Sequence, residues 1–465
     1  MRHLWTLLFL LATGAASGRA WFVAPDGNDA HDGTISAPLA DVQGALDRLR
    51  PGDTLYLRGG LYPIDSSLRV RRSGTAARPI VITGYPHETV VIDASAYQLR
   101  PDGEHLRPDY ESSLLIQDVH YVEVSRLKVV ESHSVAVMVR GPGTSHVTLR
   151  HLRTDRSFSS GIALWYCDSV LVTHCDIARA NLMEMATEGR ERRHQAPHEA
   201  LTIAGATHFE ASYNHVHDCD KEGIDVKEVS RRGTVHHNHI HDLKRQGLYA
   251  DSWFGRLVDV SFFGNRVHDC EWGVAISAEG KGSTLDSVRI HHNLFYDNRG
   301  SGVYFSTWGH DLLRTNVWIY HNTIVNNGSP NHWAGTTGGI DLRSRQLRDV
   351  RIFNNIVAYN WGYEIGTVVP ADEQSQHLDD ERILIHDNWL ARPHLRADAP
   401  GEYDPMHAVQ GIRHREGAPG FRDYEARDFK LLPTSGAVQT GAPDALGQRP
   451  DLGALPFVAP AGAGR

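Results

Sequence analysis

The chain alternates apolar and polar residues in many short segments, and few stretches have helical spacing. Such alternation turns one side of a β-strand toward a core and the other side away from it. Runs of this kind include Ile80–Thr83, Tyr121–Val124 and Val147–Leu149. An exception is Val42–Leu49, where apolar residues recur at helical spacing ahead of a Pro-Gly-Asp turn. We therefore predict an all-β protein with one short helix near its N-terminus.

From about residue 145 onward the sequence repeats itself. Each repeat contains a Gly segment such as Gly223-Ile-Asp-Val-Lys and an Asn followed by apolar residues. Several short strands per repeat of 24 to 33 residues predict a β-solenoid, in which successive coils stack. Recurring asparagines at one turn can then form a ladder of side-chain hydrogen bonds. The recurring asparagines are Asn214, Asn238, Asn265, Asn293, Asn322 and Asn355.

The Gly segments predict which side chains leave the core. In Gly223-Ile-Asp-Val-Lys the apolar residues point inward, so Asp225 and Lys227 point outward. Strands of neighbouring coils lie about 4.8 Å apart, which places Lys227 beside Asp251 and Asp225 beside Tyr249. The outward pairs of successive coils are Ala163/Trp165, Thr202/Ala204, Asp225/Lys227, Tyr249/Asp251, Ala275/Ser277, Tyr304/Ser306 and Asp341/Arg343.

Acidic and aromatic residues concentrate on this face, which indicates a polysaccharide cleft. Lys227 is a candidate base for β-elimination if its pKa is lowered, although a neighbouring Asp would raise that pKa. Asp225 and Asp251 are the candidate pair for glycoside hydrolysis, at about 8 Å from each other. In the non-catalytic alternative, Lys227 and Asp251 form an exposed ion pair on a glycan-binding or structural protein.

Other side chains on this face are candidates for binding. Tyr249, Tyr304 and Trp165 would stack on sugars, while Arg245 and Arg343 would bind uronate carboxylates. The acids at 218, 220, 222 and 225 offer the hard oxygen ligands that Ca²⁺ prefers.

Histidines recur in the Asn segments. His217, His241 and His268 occupy the same position in successive repeats, and each is followed by an Asp. We expect them to stack in a column. The column is open to two interpretations, a transition-metal site and a solvated ladder of imidazoles.

The opening, FVAPDGNDAHDGT followed by ALDRLRPGDTLYLRGGLY, and the closing Asp428-Phe-Lys-Leu-Leu-Pro resemble the ends of right-handed parallel β-helix proteins that degrade extracellular polysaccharides. The central DKEGIDVK is similar to the acidic calcium-binding stretch of family 9 polysaccharide lyases, whose base is a lysine. The resemblance implies a lyase acting on an acidic polysaccharide. It makes Asp220, Glu222 and Asp225 candidate Ca²⁺ ligands and Lys227 the candidate base.

The chain divides into four predicted parts. Residues 1–20 read as an export signal, with Arg2 and His3 ahead of an apolar run and small residues. Residues 21–62 would form the N-terminal cap, and 63–455 the right-handed parallel β-helix with inserted loops near 183–197 and 390–426. Residues 456–465 would be a tail. We therefore expect a secreted or periplasmic protein.

Charge and cysteines limit the remaining possibilities. The formal charge of −9 gives no basic footprint for nucleic acid, and no later segment is long and apolar enough to span a membrane. We expect a monomer that acts on a polysaccharide. The four cysteines form no CxxC pair, so we interpret them as core thiols, although sequence alone leaves disulfides open. They are Cys167, Cys175, Cys219 and Cys270.

Overall fold

A computed structural model describes most of the chain. The described residues are 18–97, 111–185, 196–330, 332–335, 337–392, 409, 411, 413–443 and 448–455. Several predicted segments therefore lie outside them: most of the export signal, most of the loop at 183–197, residues 393–408 of the second loop, and the tail at 456–465.

The predicted helix is present at α1 (Val42–Arg48). Asp41 begins it, because its carboxylate accepts hydrogen bonds from the backbone N–H groups of Gln43 and Gly44. The helix buries Val42, Ala45 and Leu46 against the first coil. A second helix, α2 (Gln374–Asp380), and a 3₁₀ turn, Met183–Met185, lie between strands.

The strands form three long parallel sheets. Sheet 1 contains β1 (Ala20–Val23), β2 (Thr54–Leu57), β5 (Ile80–Gly84), β8 (His120–Ser125), β11 (Ser145–Arg150), β14 (Asp168–Thr173), β17 (Thr207–Ser212), β20 (Arg231–His236), β23 (Arg256–Phe263), β26 (Thr284–His291), β29 (Arg314–Thr315), β30 (Trp318–Tyr320), β33 (Leu347–Arg348), β34 (Arg351–Phe353) and β37 (Leu384–His386). Sheet 2 contains β4 (Leu68–Val70), β7 (Ser112–Gln117), β10 (Val135–Arg140), β13 (Ile162–Trp165), β16 (Leu201–Ala204), β19 (Ile224–Lys227), β22 (Leu248–Ala250), β25 (Val274–Ile276), β28 (Val303–Phe305), β32 (Ile340–Leu342) and β36 (Ile365–Thr367). Sheet 3 contains β3 (Gly60–Pro63), β6 (Val90–Asp93), β9 (Lys128–Ser132), β12 (Arg153–Ser157), β15 (Asp176–Ala178), β18 (His215–His217), β21 (His239–His241), β24 (Arg266–His268), β27 (Leu294–Tyr296), β31 (Thr323–Val325), β35 (Ile356–Ala358), β38 (Trp389–Ala391) and β39 (Arg415–Glu416).

Each coil runs through sheets 2, 1 and 3 in turn, and the strands of successive coils pair in parallel. Inward residues stack in columns, such as Ile162, Leu201, Ile224 and Leu248 in sheet 2. These columns merge into one apolar core that extends along the whole solenoid. The predicted parallel β-helix is confirmed. Within the predicted N-terminal cap, β1 pairs with β2, and β2 and β3 pair in register with β5 and β6 of the following coil.

The predicted asparagine ladder is present. The side-chain oxygen of Asn265 accepts hydrogen bonds from the backbone N–H of Asn238 at 3.0 Å and from its amide at 2.9 Å. The same pattern links the predicted asparagines from Asn214 to Asn355 and continues to Asn388. A second ladder, Asn298 to Asn327 to Asn360, follows the strands of sheet 3. These amides satisfy buried backbone groups at the turns, where the chain leaves the sheets.

The four cysteines are buried free thiols, as expected for core residues. Near the C-terminus, β40 (Phe421–Asp423) and β41 (Asp428–Leu431) form an antiparallel hairpin that packs on sheet 3 through Phe429 and Leu431. No helix among the described residues combines the length and apolar character needed to cross a bilayer.

Candidate active site

The central rungs of sheet 2 carry the predicted site residues. Asp225 on β19 pairs in register with Tyr249 on β22, as predicted. The register continues by one residue, because the N–H of Glu228 donates to the carbonyl of Asp251 and the N–H of Asp251 donates to that of Val226. Lys227 and Asp251 therefore lie at the same level on adjacent coils.

These outward side chains are not on the molecular surface. Asp225 is 0 %, Asp251 1 % and Tyr249 5 % exposed, although all three point away from the apolar core. The side chain of Lys227 keeps 13 % of its surface accessible. The alternative of an exposed ion pair is therefore wrong, because residues from the connecting segments cover this part of the sheet.

Lys227 binds a partner that the repeat pattern did not reveal. Its Nζ donates to Oε1 of Glu199 at 2.9 Å and lies 3.2 Å from Oδ2 of Asp225. Glu199 is buried and also accepts from the hydroxyl of Thr202 at 2.9 Å. Glu199 directly precedes the Ala200 segment, at the same repeat position as Glu222, and sequence reasoning missed it because only the residues after the Gly position were considered. The ammonium group turns toward Glu199 and Asp225 and forms no ion pair with the expected Asp251.

Burial and these contacts set the charges. Burial lowers the pKa of Lys227, but Glu199, Asp225 and Asp251 outweigh it and hold that pKa well above its usual range. Burial raises the pKa of Asp225 and of Asp251 well above the ordinary carboxyl value. Burial also acts to raise the pKa of Glu199, yet Lys227 and Lys221 bring it down to about 2. The cluster therefore contains a charged Lys227–Glu199 pair beside two carboxyl groups that keep their protons to higher pH than ordinary carboxyl groups do.

The hydrogen bonds agree with this charge distribution. No described residue forms a hydrogen bond with either side-chain oxygen of Asp225 or with Oδ1 of Asp251. An ionised buried carboxylate without such bonds would be costly, whereas a neutral carboxyl group costs far less.

A cavity of about 830 Å³ opens over these rungs. Lys227, Glu199, Tyr249 and Asp251 line it, whereas Asp225 lies beneath them and does not. The hydroxyl of Tyr249 donates to Glu279, which also accepts from Ser277 at 2.9 Å. Burial, followed by Asp251 and Glu279, raises the pKa of Tyr249 well above its usual range, so its phenol stays protonated. Glu279 is a second cavity carboxylate that sequence reasoning missed.

Tryptophans form one wall of the cavity. Trp272 stacks on Tyr304 with ring centroids 5.1 Å apart, and Trp308 meets Tyr249 edge-on at 5.9 Å. Trp333 is 70 % exposed at the mouth and donates its indole N–H to Glu271. Because Trp272 covers Tyr304, it presents the aromatic surface that sequence reasoning assigned to Tyr304.

The other predicted binding residues fall in different places. Arg245 lines the cavity and donates to Oε1 of Glu222 at 2.8 Å. Arg343 lies outside the cavity lining and pairs with Asp341 at 2.8 Å. Trp165 also lies outside that lining, against the ring of His198 at 4.8 Å.

The three predicted calcium ligands do not converge. Asp220 pairs with Lys244 at 2.6 Å, Glu222 with Arg245, and Asp225 with Lys227. Two groups of three potential metal ligands occur among the described residues, and neither contains any of these acids. Since each carboxylate already contacts a cation of the chain, the arrangement does not fit a calcium ion held by all three.

Comparisons with known proteins agree with the fold. A family described as "Pel9A-like, right handed beta helix region" matches residues 21–181, and one described as "Right handed beta helix region" matches residues 112–287. Pectate lyase PEL9 of Emericella nidulans is 34% identical over 145 residues, which is 31% of this chain and 35% of that protein. Uncharacterized protein YwoF of Bacillus subtilis is 26% identical over 92% of this chain and 93% of its own length. The crystal structure of pectate lyase Pel9A superposes with a TM-score of 0.52 at 15% identity, covering 96% of this chain and 98% of that one.

Fold and sequence together define the chain as a right-handed parallel β-helix protein. Within that class it resembles the polysaccharide lyases of the Pel9A type. The matched segment spans about a third of the length of the pectate lyase PEL9. The Pel9A-like match ends at residue 181, before Glu199 and Lys227, so this similarity covers the scaffold ahead of the cavity.

Proposed function

We propose that the protein is an exported enzyme that cleaves a uronate-containing polysaccharide in the cavity over sheet 2, by β-elimination. The observation that carries the proposal is the cavity itself, which combines a lysine and a protonated carboxyl group on its floor with a tryptophan wall. Three further cations, Lys221, Lys244 and Arg245, line it and would attract a uronate carboxylate. The sequence similarity to a pectate lyase supports the same substrate class.

In the proposed reaction, Lys227 removes the proton from the carbon next to the uronate carboxylate. The electron pair of that C–H bond forms a C=C double bond, and the bond to the glycosidic oxygen breaks. Asp251 faces the cavity, retains its proton and donates that proton to the departing oxygen. Arg245 binds the carboxylate of the substrate, and Tyr249 contacts the sugar.

The surroundings of Lys227 impose a pH dependence on this reaction. A base must be neutral to accept a proton, and the neighbouring carboxylates hold the pKa of Lys227 well above its ordinary value. The neutral fraction therefore increases with pH throughout the accessible range. Asp251 must keep its proton at the same time, so we expect kcat/KM to increase with pH until Asp251 titrates and then to level off. A continued increase up to about pH 10 would indicate that the proton of Asp251 is not needed for the reaction.

Calcium remains a prediction of the family resemblance, and no step above depends on it. The three candidate ligands already pair with Lys244, Arg245 and Lys227. We therefore expect EDTA to leave kcat/KM unchanged. Activity that disappears with EDTA and returns with added Ca²⁺ would show that these ion pairs rearrange around the metal.

Glycoside hydrolysis is the second candidate, and the raised pKa of Asp251 favours it. A buried carboxyl group that keeps its proton is the usual general acid of a glycosidase. Asp225, the partner expected from the sequence, does not reach the cavity. The opposing carboxylate would be Glu199 or Glu279, both of which line it.

One assay separates the candidates. The protein is incubated with pectic, alginate and glycosaminoglycan substrates while the absorbance of unsaturated uronates and the number of reducing ends are recorded. We expect both to increase on at least one substrate. Reducing ends without absorbance would indicate hydrolysis, and binding without either product would indicate a glycan-binding protein.

A further inference from the structure

Sheet 3 carries a second cluster of functional groups, on a different sheet from the cavity. Five of the six outward positions on β18, β21 and β24 are histidines and the sixth is Arg266; we call the histidines the histidine patch: His215, His217, His239, His241 and His268. Two columns run along it, because His215 pairs in register with His239 and His217 pairs with His241. The inward residues between them, Val216, Ile240 and Val267, are fully buried in the core.

The imidazoles contact one another diagonally between coils. Nε2 of His215 lies 2.8 Å from Nε2 of His241, and Nε2 of His239 lies 2.9 Å from Nε2 of His268. One coil earlier, Oδ1 of Asp176 lies 3.3 Å from Nε2 of His217 on the same diagonal. Each contact therefore brings together two atoms that can ligate a metal.

In the column of His217, His241 and His268, the opposite ring nitrogen of each histidine is fixed by the aspartate that follows it. Nδ1 of His241 lies 2.6 Å from Asp242, and Nδ1 of His268 lies 2.6 Å from Asp269. An ionised carboxylate only accepts hydrogen bonds, so Nδ1 carries the proton and Nε2 presents its lone pair. A carboxylate behind an imidazole is the arrangement that orients metal-binding histidines.

The patch contains two sets of three ligands. Single ligand atoms of His215, His239 and His241 all lie within 4.8 Å of one another, and so do those of Asp176, His215 and His217. Zinc binds imidazole nitrogen at about 2.0–2.1 Å, which separates two ligands by about 3.4 Å in a tetrahedral site. The distance of 2.8 Å between Nε2 of His215 and Nε2 of His241 therefore has to widen by about 0.6 Å.

We propose that the histidine patch binds one divalent transition-metal ion of the zinc class through His215, His239 and His241. The ion connects β18 to β21 and so clamps two coils of the solenoid on sheet 3, a different sheet from the one under the cavity. The alternative is a ladder of neutral imidazoles that form hydrogen bonds with one another and bind no metal.

Calorimetry on untagged, EDTA-treated protein tests the site, with ZnCl₂ as the titrant. We expect one equivalent to bind and the thermal midpoint to rise with the logarithm of the zinc excess. His241→Gln should abolish both effects. The control is His237→Gln. It alters another close imidazole pair, in which Nδ1 of His236 lies 2.9 Å from Nδ1 of His237. The control variant should bind zinc as the native protein does. Absence of zinc binding by the native protein, or equal loss in the control, overturns the proposal.

A second measurement avoids dependence on variant folding. Histidines of the native protein are modified with diethyl pyrocarbonate, with and without zinc, and located by mass spectrometry. Zinc should protect His215, His239 and His241 and leave His237 reactive. Uniform protection, or none at these three, would contradict the site. Neither measurement uses polysaccharide, so their result is separate from that of the proposed enzyme activity.

Discussion

Two rungs of the solenoid have the same pattern and different chemistry. On β19 the sequence is Asp225, Val226, Lys227, and on β21 it is His239, Ile240, His241, in both cases outward, inward, outward. On sheet 2, side chains from the connecting segments cover the outward residues, and burial raises the pKa of two acids beside a charged pair. On sheet 3, the outward residues pair among themselves and stay partly exposed. The strand pattern fixes which way a side chain points, and the connecting segments decide its environment.

The largest loss of stability should come from a substitution in the asparagine ladder, which belongs to the scaffold that carries both sheet 2 and sheet 3. Asn265→Ala removes a buried amide that accepts from Asn238 and donates to the carbonyl of Val235. Each stranded polar group costs about 1–3 kcal/mol, so we expect a loss of about 4 kcal/mol in the free energy of unfolding. Denaturant unfolding measures this loss, and activity and zinc binding should fall together. The control, Asn28→Ala, removes an exposed turn bond and should cost under about 1 kcal/mol. Equal effects of both substitutions would contradict a stabilising role for the ladder.

A substitution among the covered outward residues of sheet 2 should cause the next largest loss of stability. The pKa of Glu199 is about 2 in the folded protein, below its unfolded value, so its ionisation stabilises the fold above about pH 4.5. That contribution is lost as the pH falls from about 4.5 to 2. We expect Glu199→Gln to cost roughly 3 kcal/mol at pH 7 and much less near pH 2.

An exposed ion pair provides the control for Glu199. Glu184 lies 2.8 Å from Arg156, a distance similar to that between Glu199 and Lys227, but its side chain is 65 % exposed. Glu184→Gln should cost under about 1 kcal/mol. If Glu199→Gln cost as little stability as Glu184→Gln, at every pH, then burial under the connecting segments would not determine the charge interactions of Glu199.

The histidine patch should give a smaller effect in a different pH range. Burial, with His241, His268, Arg266 and His215 nearby, lowers the pKa of His239 to about 3. A lowered histidine pKa stabilises the fold above about pH 6.5 and loses that contribution as the pH falls toward 3. In the presence of EDTA, His239→Gln should therefore flatten the dependence of the thermal midpoint on pH in this interval. An unchanged slope would contradict the buried, neutral state of this imidazole.

Much of the scaffold could be predicted from the sequence, because the solenoid repeats its local rules. The Asn ladder and the pairing of Asp225 with Tyr249 follow from spacing and strand alternation. Glu199 was missed because it stands directly before the Ala200 segment, whereas the outward positions were assigned only among the residues after the Gly position. The burial of Asp251 was also missed, because the tryptophans that cover the site come from connecting segments of variable length. Strand geometry placed Lys227 correctly, but only the structure shows that its ammonium turns to Glu199.

The direct test of the catalytic rung is the activity of Lys227→Met on the uronate polysaccharide that the native protein degrades, measured by the absorbance of unsaturated product. The control is Lys128→Met, because Lys128 pairs with Asp155 at 3.2 Å on sheet 3, outside the cavity. We predict a 10²- to 10⁴-fold loss of kcat/KM, roughly the contribution of a general base, for Lys227→Met and native activity for Lys128→Met. Full activity of a correctly folded Lys227→Met protein would contradict the assignment of the cavity lysine as the base.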